Sequence, residues 1–376
     1  MNYYLIAGER SGDLHGANLI RAIRQYDPEA QCRAYGGEQM EQAGAVLVRH
    51  YREMAFMGFL EVVKNLGTIR RIMRECQADL LANRPDVLIL IDYAGFNLRM
   101  ARFAKQHGIR VFYYISPKVW AWNQRRALKI KANVDQLFTI LPFETEFFAR
   151  YDYAVHYVGN PLLDALAAFS PNPAFRSKLQ LDDRPVVALL PGSRRQEITS
   201  ILPVMLEASN CFPAYQFVVG TVSNLPSALY DRMLAAYPAV KRVDDAAYDV
   251  LHNAEAALVT SGTATLETAL LNVPQVVCYK TTGISYAIAK RLIAVPFISL
   301  VNLIANRNVV TELIQNELTT ERIEAELNAI LPNGARRAEQ LDGYADVRRK
   351  MGEAGASERA GKQMVELLIE ETQKKA

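Results

Sequence analysis

The sequence lacks an excess of either charge, since 43 Lys and Arg residues against 40 Asp and Glu residues leave a formal net charge of +3. This balance gives no support for a protein that wraps nucleic acid, and we expect no nucleic-acid partner. No run of about 20 apolar residues occurs, so we expect no transmembrane helix. What the chain does have is length and apolar content, 376 residues of which 50% are hydrophobic. That is enough for more than one core.

Disulfide and metal-binding patterns are also missing. The four cysteines, Cys32, Cys76, Cys211 and Cys278, lie far apart and form no C-x-x-C pair, which favours reduced thiols. The five histidines are scattered, and neither H-E-x-x-H nor D-x-D occurs, so we expect no catalytic metal. The N-terminal segment has no basic region before a long apolar stretch, which predicts a cytoplasmic protein.

Short apolar runs alternate with helical patterns along most of the chain. Candidate strands lie at 3–7, 86–92, 110–115, 136–141, 185–190, 215–220, 255–260 and 274–279. Apolar runs without alternation predict strands covered on both faces, as in parallel sheets with crossover helices. The proline-rich stretch 160–184 predicts a connection between two such units. We therefore predict an α/β protein with two doubly wound, Rossmann-like domains facing each other across a cleft, and C-terminal helices that pack back. The predicted boundaries are 1–165, 166–345 and 346–376.

Three loops after predicted strands of the first domain carry candidate site residues. In the loop GERSGD, Glu9 and Asp13 suit sugar hydroxyls and Ser11 offers a donor, unless Ser11 or Asp13 merely caps the next helix. Asp92 ends an apolar strand, where a partly desolvated carboxylate can act as a general base; an N-cap role explains it equally well. Trp120 follows a third strand and either stacks on a sugar or forms core beneath its loop.

Two turns of the second domain suit a nucleotide diphosphate. The segment LPGSRRQE joins a glycine turn, a helix N-terminus and an arginine, although the arginines also suit a solvated surface. The segment TSGTATLE repeats the arrangement, and its glutamate can accept ribose hydroxyls or simply favour the helix dipole. The residues predicted to bind the nucleotide are Gly192, Ser193, Arg194, Ser261, Gly262, Thr263 and Glu267.

The segment 54–74 combines a wide apolar arc with the cations Lys64, Arg70, Arg71 and Arg74 and one acid. This pattern predicts an interfacial helix on anionic lipid or a surface that holds acyl chains. A buried core helix explains the apolar arc equally well but explains the cations less well. A second basic cluster occupies 125–131. The residues predicted to contact membrane or acyl chains are Phe56, Met57, Phe59, Leu60 and Val63.

Eight motifs together resemble the lipid-A-disaccharide synthase family, in matching order from residue 5 to about residue 317. They are AGERSGDLHGANLIRAI, IDYAGFN, ISPKVWAWNQRR, LPFE, VGNPLLD, LLPGSRRQEI, TSGTATLE and NLIANRNVVTELIQ. The resemblance implies a glycosyltransferase of the two-Rossmann GT-B type without cofactor or metal. Its substrates are UDP-2,3-diacylglucosamine and 2,3-diacylglucosamine 1-phosphate (lipid X), and its products are UDP and a β-1,6-linked disaccharide 1-phosphate. The resemblance further implies peripheral attachment to the inner face of the inner membrane, and a homodimer with exchanged C-terminal parts.

Matching motif positions assigns roles to individual residues. Asp92 is the expected general base, and Glu9 and Arg194 are the other expected catalytic residues. The residues expected to bind substrate are Ser11, Asp13, Trp120, Asn302 and Arg307. Two positions depart from the family pattern, Arg10 where a small residue or Thr is usual and Asn306 where Gly is usual. The alternatives are another GT-B enzyme, such as a UDP-sugar 2-epimerase, and a two-lobed binding protein without chemistry.

Overall fold

A computed structural model describes residues 1–54, 65–283, 286 and 295–373. The chain forms two compact units. Unit 1 comprises Met1–Ala167 and Glu353–Ala376, and unit 2 comprises Ala168–Gly352. The sequence-based boundary at 345/346 falls inside a helix, Arg337–Met351, that belongs to unit 2. Only the final helix of the chain joins unit 1.

The described part of unit 1 contains a seven-stranded sheet, ordered β3-β2-β1-β4-β5-β6-β7, whose strands all run parallel. The strands are β1 (Asn2–Ala7), β2 (Gln31–Gly36), β3 (Val46–His50), β4 (Val87–Ile91), β5 (Arg110–Tyr114), β6 (Gln136–Thr139) and β7 (His156–Tyr157). The helices are α1 (Arg10–Tyr26), α2 (Glu38–Gln42), α3 (Leu66–Asn83), α4 (Ala94–Gln106), α5 (Val119–Trp122), α6 (Arg126–Asn133), α7 (Pro142–Ala149) and α8 (Pro161–Ala167). All five residues of β4 are buried, as expected for a strand with helices on both faces.

Unit 2 contains, within its described residues, a six-stranded parallel sheet ordered β10-β9-β8-β11-β12-β13. Its strands are β8 (Val186–Leu190), β9 (Gln216–Thr221), β10 (Lys241–Asp244), β11 (Ala254–Thr260), β12 (Gln275–Tyr279) and β13 (Thr311–Ile314). Its helices are α9 (Phe175–Lys178), α10 (Arg195–Ser209), α11 (Ser227–Leu234), α12 (Ala247–His252), α13 (Thr263–Leu270), α14 (Leu300–Ala305), α15 (Thr320–Ile330) and α16 (Arg337–Met351). Short 3₁₀ helices occur at Tyr51–Glu53 and Gln315–Glu317.

The last helix, α17 (Ala356–Gln373), completes the core of unit 1. Its Met364 and Leu368 are fully buried in the cluster that contains β1 and β4 side chains. A Cβ on Gly361 would lie 2.7 Å from the Cβ of Ala22 in α1, so a glycine allows the two helices to approach closely. The carboxylate of Asp164 accepts hydrogen bonds from the first backbone N–H groups of α17, which fixes the start of the helix.

Both sheets reverse their strand order at a central pair, β1 beside β4 in unit 1 and β8 beside β11 in unit 2. Ligands of open α/β sheets bind beyond the carboxyl ends of the strands at such a switch point. The prediction of two doubly wound α/β units is confirmed. The candidate ligand-binding loops are therefore those that follow β1 and β4 in unit 1, and β8 and β11 in unit 2.

Candidate active site

The loops after β1 and β4 pack directly against each other in unit 1. Ala7 pairs with Ile91 at the ends of the two strands. A Cβ on Gly8 would lie 2.3 Å from Cγ of Tyr93, so only glycine leaves room for the tyrosine ring. The Tyr93 hydroxyl donates a hydrogen bond to the backbone carbonyl of Met54 at 2.6 Å. Burial raises the pKa of Tyr93, and the negative charge of Glu9 raises it further. Glu9 thus lies near the β4 loop.

Asp92 adopts a left-handed backbone conformation immediately after β4, with φ at 45°, and Tyr93 follows with φ at 49°. Non-glycine residues seldom adopt this conformation, which costs on the order of 1–3 kcal/mol. Buried polar groups hold the turn. The Asn97 amide donates to the Asp92 carbonyl at 2.8 Å and to the Ile91 carbonyl at 3.2 Å, and the Tyr113 hydroxyl also donates to the Asp92 carbonyl. The backbone is therefore fixed, while the Asp92 side chain remains exposed to solvent.

The electrostatics of Asp92 suit a proton acceptor. Surrounding protein partly desolvates the carboxyl group and raises its pKa above the usual range, although Lys118 and the backbone N–H of Tyr93 act in the opposite direction. Lys118 is exposed and precedes α5 on the loop after β5. A carboxylate with a raised pKa is a stronger base than an ordinary one.

A buried glutamate anchors the loop after β5 through hydrogen bonds. Glu144 is 1% exposed and accepts hydrogen bonds from the Ser116 hydroxyl at 2.5 Å and from the Leu141 backbone N–H at 2.8 Å. Trp120 is 4% exposed and meets Phe143 edge to face. Trp120 is therefore core beneath the loop, which corrects the prediction that its ring stacks on a substrate.

Asp13 also has a structural position in place of the predicted sugar contact. Its side chain is 1% exposed, and its carboxylate accepts backbone hydrogen bonds from Gly37 at 2.7 Å and from Gln39 and Met40 at 3.1 Å. It caps the N-terminus of α2, which packs against α1, the helix that contains Asp13. Ser11, in the first turn of α1, remains exposed.

In unit 2, the turn after β8 presents its backbone N–H groups to an acid of its own helix. Gly192 has a φ of 105°, and the N–H groups of Ser193 and Arg194 both lie 3.2 Å from Oε2 of Glu197. The Arg194 guanidinium donates to Oε1 of the same carboxylate at 2.8 Å. The turn therefore binds an anionic group in the way predicted for a diphosphate, and here that group is Glu197.

The turn after β11 carries the second predicted set. Gly262, with φ at 156°, precedes α13, and a Cβ there would meet no atom within 4 Å. Thr263 is exposed at the helix N-terminus, while the Ser261 hydroxyl donates to the Ile298 carbonyl at 2.8 Å. Burial raises the pKa of Glu267, and a hydrogen bond from the Tyr248 hydroxyl, 3.1 Å away, opposes that rise.

The two residues of unit 2 that were predicted to contact substrate, Asn302 and Arg307, differ in whether the structure leaves them available for a ligand. Asn302 is fully buried, and its amide group makes four hydrogen bonds within unit 2, to Val309, Val310 and Glu312. Its side chain has no capacity left for a ligand, which corrects that prediction. Arg307 pairs with Asp346 at 3.0 Å. Asn306 ends α14 in a left-handed conformation with φ at 58°, which asparagine tolerates better than most residues, so it can replace the usual glycine.

The predicted membrane contacts belong to a segment that is not among the described residues. Phe56, Met57, Phe59, Leu60 and Val63 lie outside the described residues. In the described part of the chain, no helix has the length and apolar character to cross a bilayer. Over the same residues, no group of three or more His, Cys, Asp or Glu side chains is placed to hold a metal ion.

Several residues that shape the site were not singled out from the sequence. Asn97 and Lys118 stand inside the quoted motifs IDYAGFN and ISPKVW, so the motifs held a signal for them. Glu197 follows Arg194 by three residues, the spacing of a capping box. Tyr113 and Tyr248 had no local signal, because their hydroxyl contacts join segments far apart in the chain.

Comparison with known proteins identifies close sequence relatives. The family model for lipid-A-disaccharide synthetase matches residues 3–366. Lipid-A-disaccharide synthases are 41% identical in Syntrophus aciditrophicus, over 97% of both chains, and 39% identical in Geobacter sulfurreducens, over 97% of this chain and 96% of the relative. The synthase of Myxococcus xanthus is 38% identical over 97% of both chains.

Solved structures of low sequence identity share the fold. A UDP-GlcNAc 2-epimerase from Neisseria meningitidis, bound to UDP-GlcNAc, gives a TM-score of 0.65 at 14% identity, with 98% of this chain and 100% of that chain covered. The glycotransferase of kitacinnamycin gives 0.66 at 12% identity, with 98% and 99% covered. These similarities show the GT-B fold of the chain.

Proposed function

The chain belongs to the lipid-A-disaccharide synthase family, and from this membership and the site geometry we propose how it forms the lipid A disaccharide. It is a glycosyltransferase. The donor is UDP-2,3-diacylglucosamine, the acceptor is 2,3-diacylglucosamine 1-phosphate, and the products are UDP and the β-1,6-linked disaccharide 1-phosphate. Because the donor sugar is α-linked and the product is β-linked, the reaction inverts configuration in a single displacement.

Asp92 is the general base in this proposal. A single displacement needs one group that takes the proton of the acceptor 6-hydroxyl as the new bond forms. The observation that carries the assignment is the solvent-exposed carboxylate at the switch point of unit 1, on a backbone fixed by Asn97 and Tyr113. Glu9 lies on the adjacent loop and orients a sugar hydroxyl. Ser11 is exposed at the same helix N-terminus and remains a candidate contact.

Unit 2 binds the UDP group. The Gly192-Ser193 turn, the N-terminus of α10 and Arg194 supply the donors that stabilise negative charge on the departing diphosphate. The turn Ser261–Thr263 supplies a second helix N-terminus, and Glu267 accepts the ribose hydroxyls. Tyr248 supports Glu267, because its hydroxyl occupies one carboxylate oxygen and leaves the other for the ligand.

We propose that the reaction needs no metal and no cofactor, with the charge of the diphosphate balanced by Arg194, Arg307 and the helix N-termini. Arg307 would have to exchange its exposed partner Asp346 for the ligand phosphate. Turnover that is unchanged in excess EDTA is the expected result. Loss of turnover in EDTA, restored by Mg²⁺, would contradict this part of the proposal.

We also propose that unit 1 lies on an anionic membrane surface. Helix α3 packs beside α4, and α4 packs beside α6. Neither α4 nor α6 contains an acidic residue, and their cations are Arg99, Arg102, Lys105, Arg126, Lys129 and Lys131. Trp122 and Leu128 remain 44% and 53% exposed beside them. Each cation near an anionic bilayer contributes about 1 kcal/mol, and exposed Trp and Leu suit the interface. The inner face of the inner membrane is the proposed location.

Flotation with vesicles tests the membrane proposal. The protein should float with vesicles that contain phosphatidylglycerol and not with pure phosphatidylcholine. An Arg102→Gln/Lys129→Gln variant should lose most of this binding. A matched variant in unit 2, Lys178→Gln/Arg232→Gln, should keep it, because both cations are exposed but lie outside the basic helices. Equal binding by both variants would contradict the assignment. Family membership also supports a homodimer, which light scattering of the purified protein tests.

The activity itself is tested by UDP release from purified protein. Release should require both acylated glucosamines and should stop when either is omitted. Conversion of UDP-GlcNAc to its 2-epimer, without disaccharide formation, would favour the epimerase alternative and contradict the proposal.

A further inference from the structure

Glu197 occupies the turn that is proposed to receive the diphosphate. Its Oε2 accepts hydrogen bonds from the backbone N–H groups of Ser193 and Arg194, each at 3.2 Å, and its Oε1 accepts one from the Arg194 guanidinium at 2.8 Å. A Cβ on Gly192 would lie 2.5 Å from Oε2, so the glycine also makes room for this carboxylate. The carboxylate of Glu197 therefore accepts hydrogen bonds from the two backbone amides of the turn and from its guanidinium.

These donors are the ones that a phosphate oxygen would need. Amides at a helix N-terminus and an adjacent guanidinium attract one anionic group strongly. Two anions that share the same donors would repel each other at short range. A diphosphate that binds as proposed must therefore displace the Glu197 carboxylate. The Arg194 side chain is 67% exposed, so its guanidinium has room to turn from Glu197 to a phosphate.

We propose that Glu197 is an internal competitor for the nucleotide diphosphate and thereby sets the affinity of unit 2 for UDP. The inference rests on the proposed UDP site in this turn. In the empty enzyme, the carboxylate neutralises Arg194 and satisfies the amides. When the donor binds, its diphosphate takes over those contacts. After transfer, the returning carboxylate favours release of UDP, so that the product does not accumulate on the enzyme.

The test compares UDP binding by titration calorimetry in the wild-type protein and in Glu197→Gln, which keeps the shape of the side chain and removes its charge. A charged group at a helix N-terminus changes binding by about 2-fold to 30-fold. UDP should therefore bind more tightly to Glu197→Gln by a factor in that range. Uridine, which lacks phosphate, should bind equally to both proteins. Inhibition of turnover by added UDP should become stronger in the variant.

Glu207→Gln is the matched control, since Glu207 is an exposed acid on the same helix. It should leave UDP affinity unchanged. Glu197→Ala removes every atom that reaches the amides and should change UDP affinity in the same direction as Glu197→Gln; a thermal melt shows that each variant is folded. UDP affinity that is unchanged or weaker in a folded Glu197 variant would overturn the inference. A wild-type protein that binds no UDP would instead overturn the proposed function, so the two failures are distinct.

Discussion

Replacing Asp92 by Asn removes the proposed base with little change in shape. Asn and Asp both tolerate the left-handed backbone conformation found at this position, with φ at 45°. The hydrogen bonds from Asn97 and Tyr113 go to the backbone carbonyl of residue 92, so the substitution leaves them intact. The variant should fold normally and keep the geometry of the loop. What it loses is the ability to accept a proton.

The expected loss is in kcat. Positioned general bases contribute typically about 10²-fold to 10⁴-fold, which corresponds to roughly 2.7–5.4 kcal/mol in the activation free energy. Asp92 belongs to unit 1 and the proposed UDP turns belong to unit 2, so UDP affinity should remain within a factor of about two. This expectation treats separate sites as independent. Steady-state kinetics with both acylated sugars give kcat, and calorimetry gives UDP affinity.

The pH profile makes the test sharper. A base works only when deprotonated, so the wild-type rate should fall as pH drops through the pKa of Asp92, which partial desolvation by the surrounding protein raises above its usual range. The small residual rate of Asp92→Asn should lack this acid limb. Asp86→Asn is the control, because Asp86 precedes the opposite end of the same strand, where its carboxylate accepts a hydrogen bond from the backbone N–H of Asn2 at 2.7 Å. Near-normal kcat in Asp92→Asn would refute the reasoning.

Three further substitutions test separate parts of the account. Lys118→Met removes the cation that lowers the pKa of Asp92. The pKa of Asp92 should therefore rise, and the acid limb of the pH–rate profile should move to higher pH. An acid limb that does not move would contradict the proximity of the two groups. Arg194→Ala removes a cation from the proposed diphosphate turn and should weaken UDP binding about 10-fold to 100-fold, as expected for a charged hydrogen bond. It should also lower kcat. Calorimetry measures the affinity and steady-state kinetics measure kcat, and an unchanged UDP affinity would contradict the proposal that this turn binds the diphosphate. Asn302→Ala leaves buried backbone groups without hydrogen-bond partners and should cost about 2–4 kcal/mol of stability. A thermal melt should show a lower Tm, while the folded fraction keeps its activity. A loss of activity at full stability would restore Asn302 as a substrate contact.

The strands of this fold differ in how clearly the sequence predicts them. The run DVLILID predicts β4 at once, because a strand covered on both faces is apolar at every position. The strand β2 (QCRAYG) and the outer strands β3 (VLVRH) and β10 (KRVD) include charged residues, since strands near the sheet edges are only partly covered, and the apolar pattern misses them. Their places follow from pairing with neighbours distant in the chain.

The candidate site divides in the same way. Asp92 and the two glycine turns could be found because each follows an apolar strand directly, and in parallel sheets that position faces the ligand. The structural roles of Asp13 and Asn302 could not be predicted from the sequence. The hydrogen-bond partners of Asp13 are distant in the chain, and those of Asn302 belong to one buried network. Asp13 caps a helix that begins 25 residues later, and Asn302 joins the loop before β13 to α14. A polar residue that contacts a ligand and one that stabilises the fold have the same appearance in a sequence, and only their tertiary contacts distinguish them.

The most direct test of the central claim is the structure of the product. Purified protein is incubated with UDP-2,3-diacylglucosamine and 2,3-diacylglucosamine 1-phosphate, and the lipid product is analysed by mass spectrometry and by NMR of its anomeric proton. We expect one new disaccharide 1-phosphate with a β-1,6 linkage, formed in equal amount to the UDP released. An α-linked product, or UDP released without any disaccharide, would contradict it.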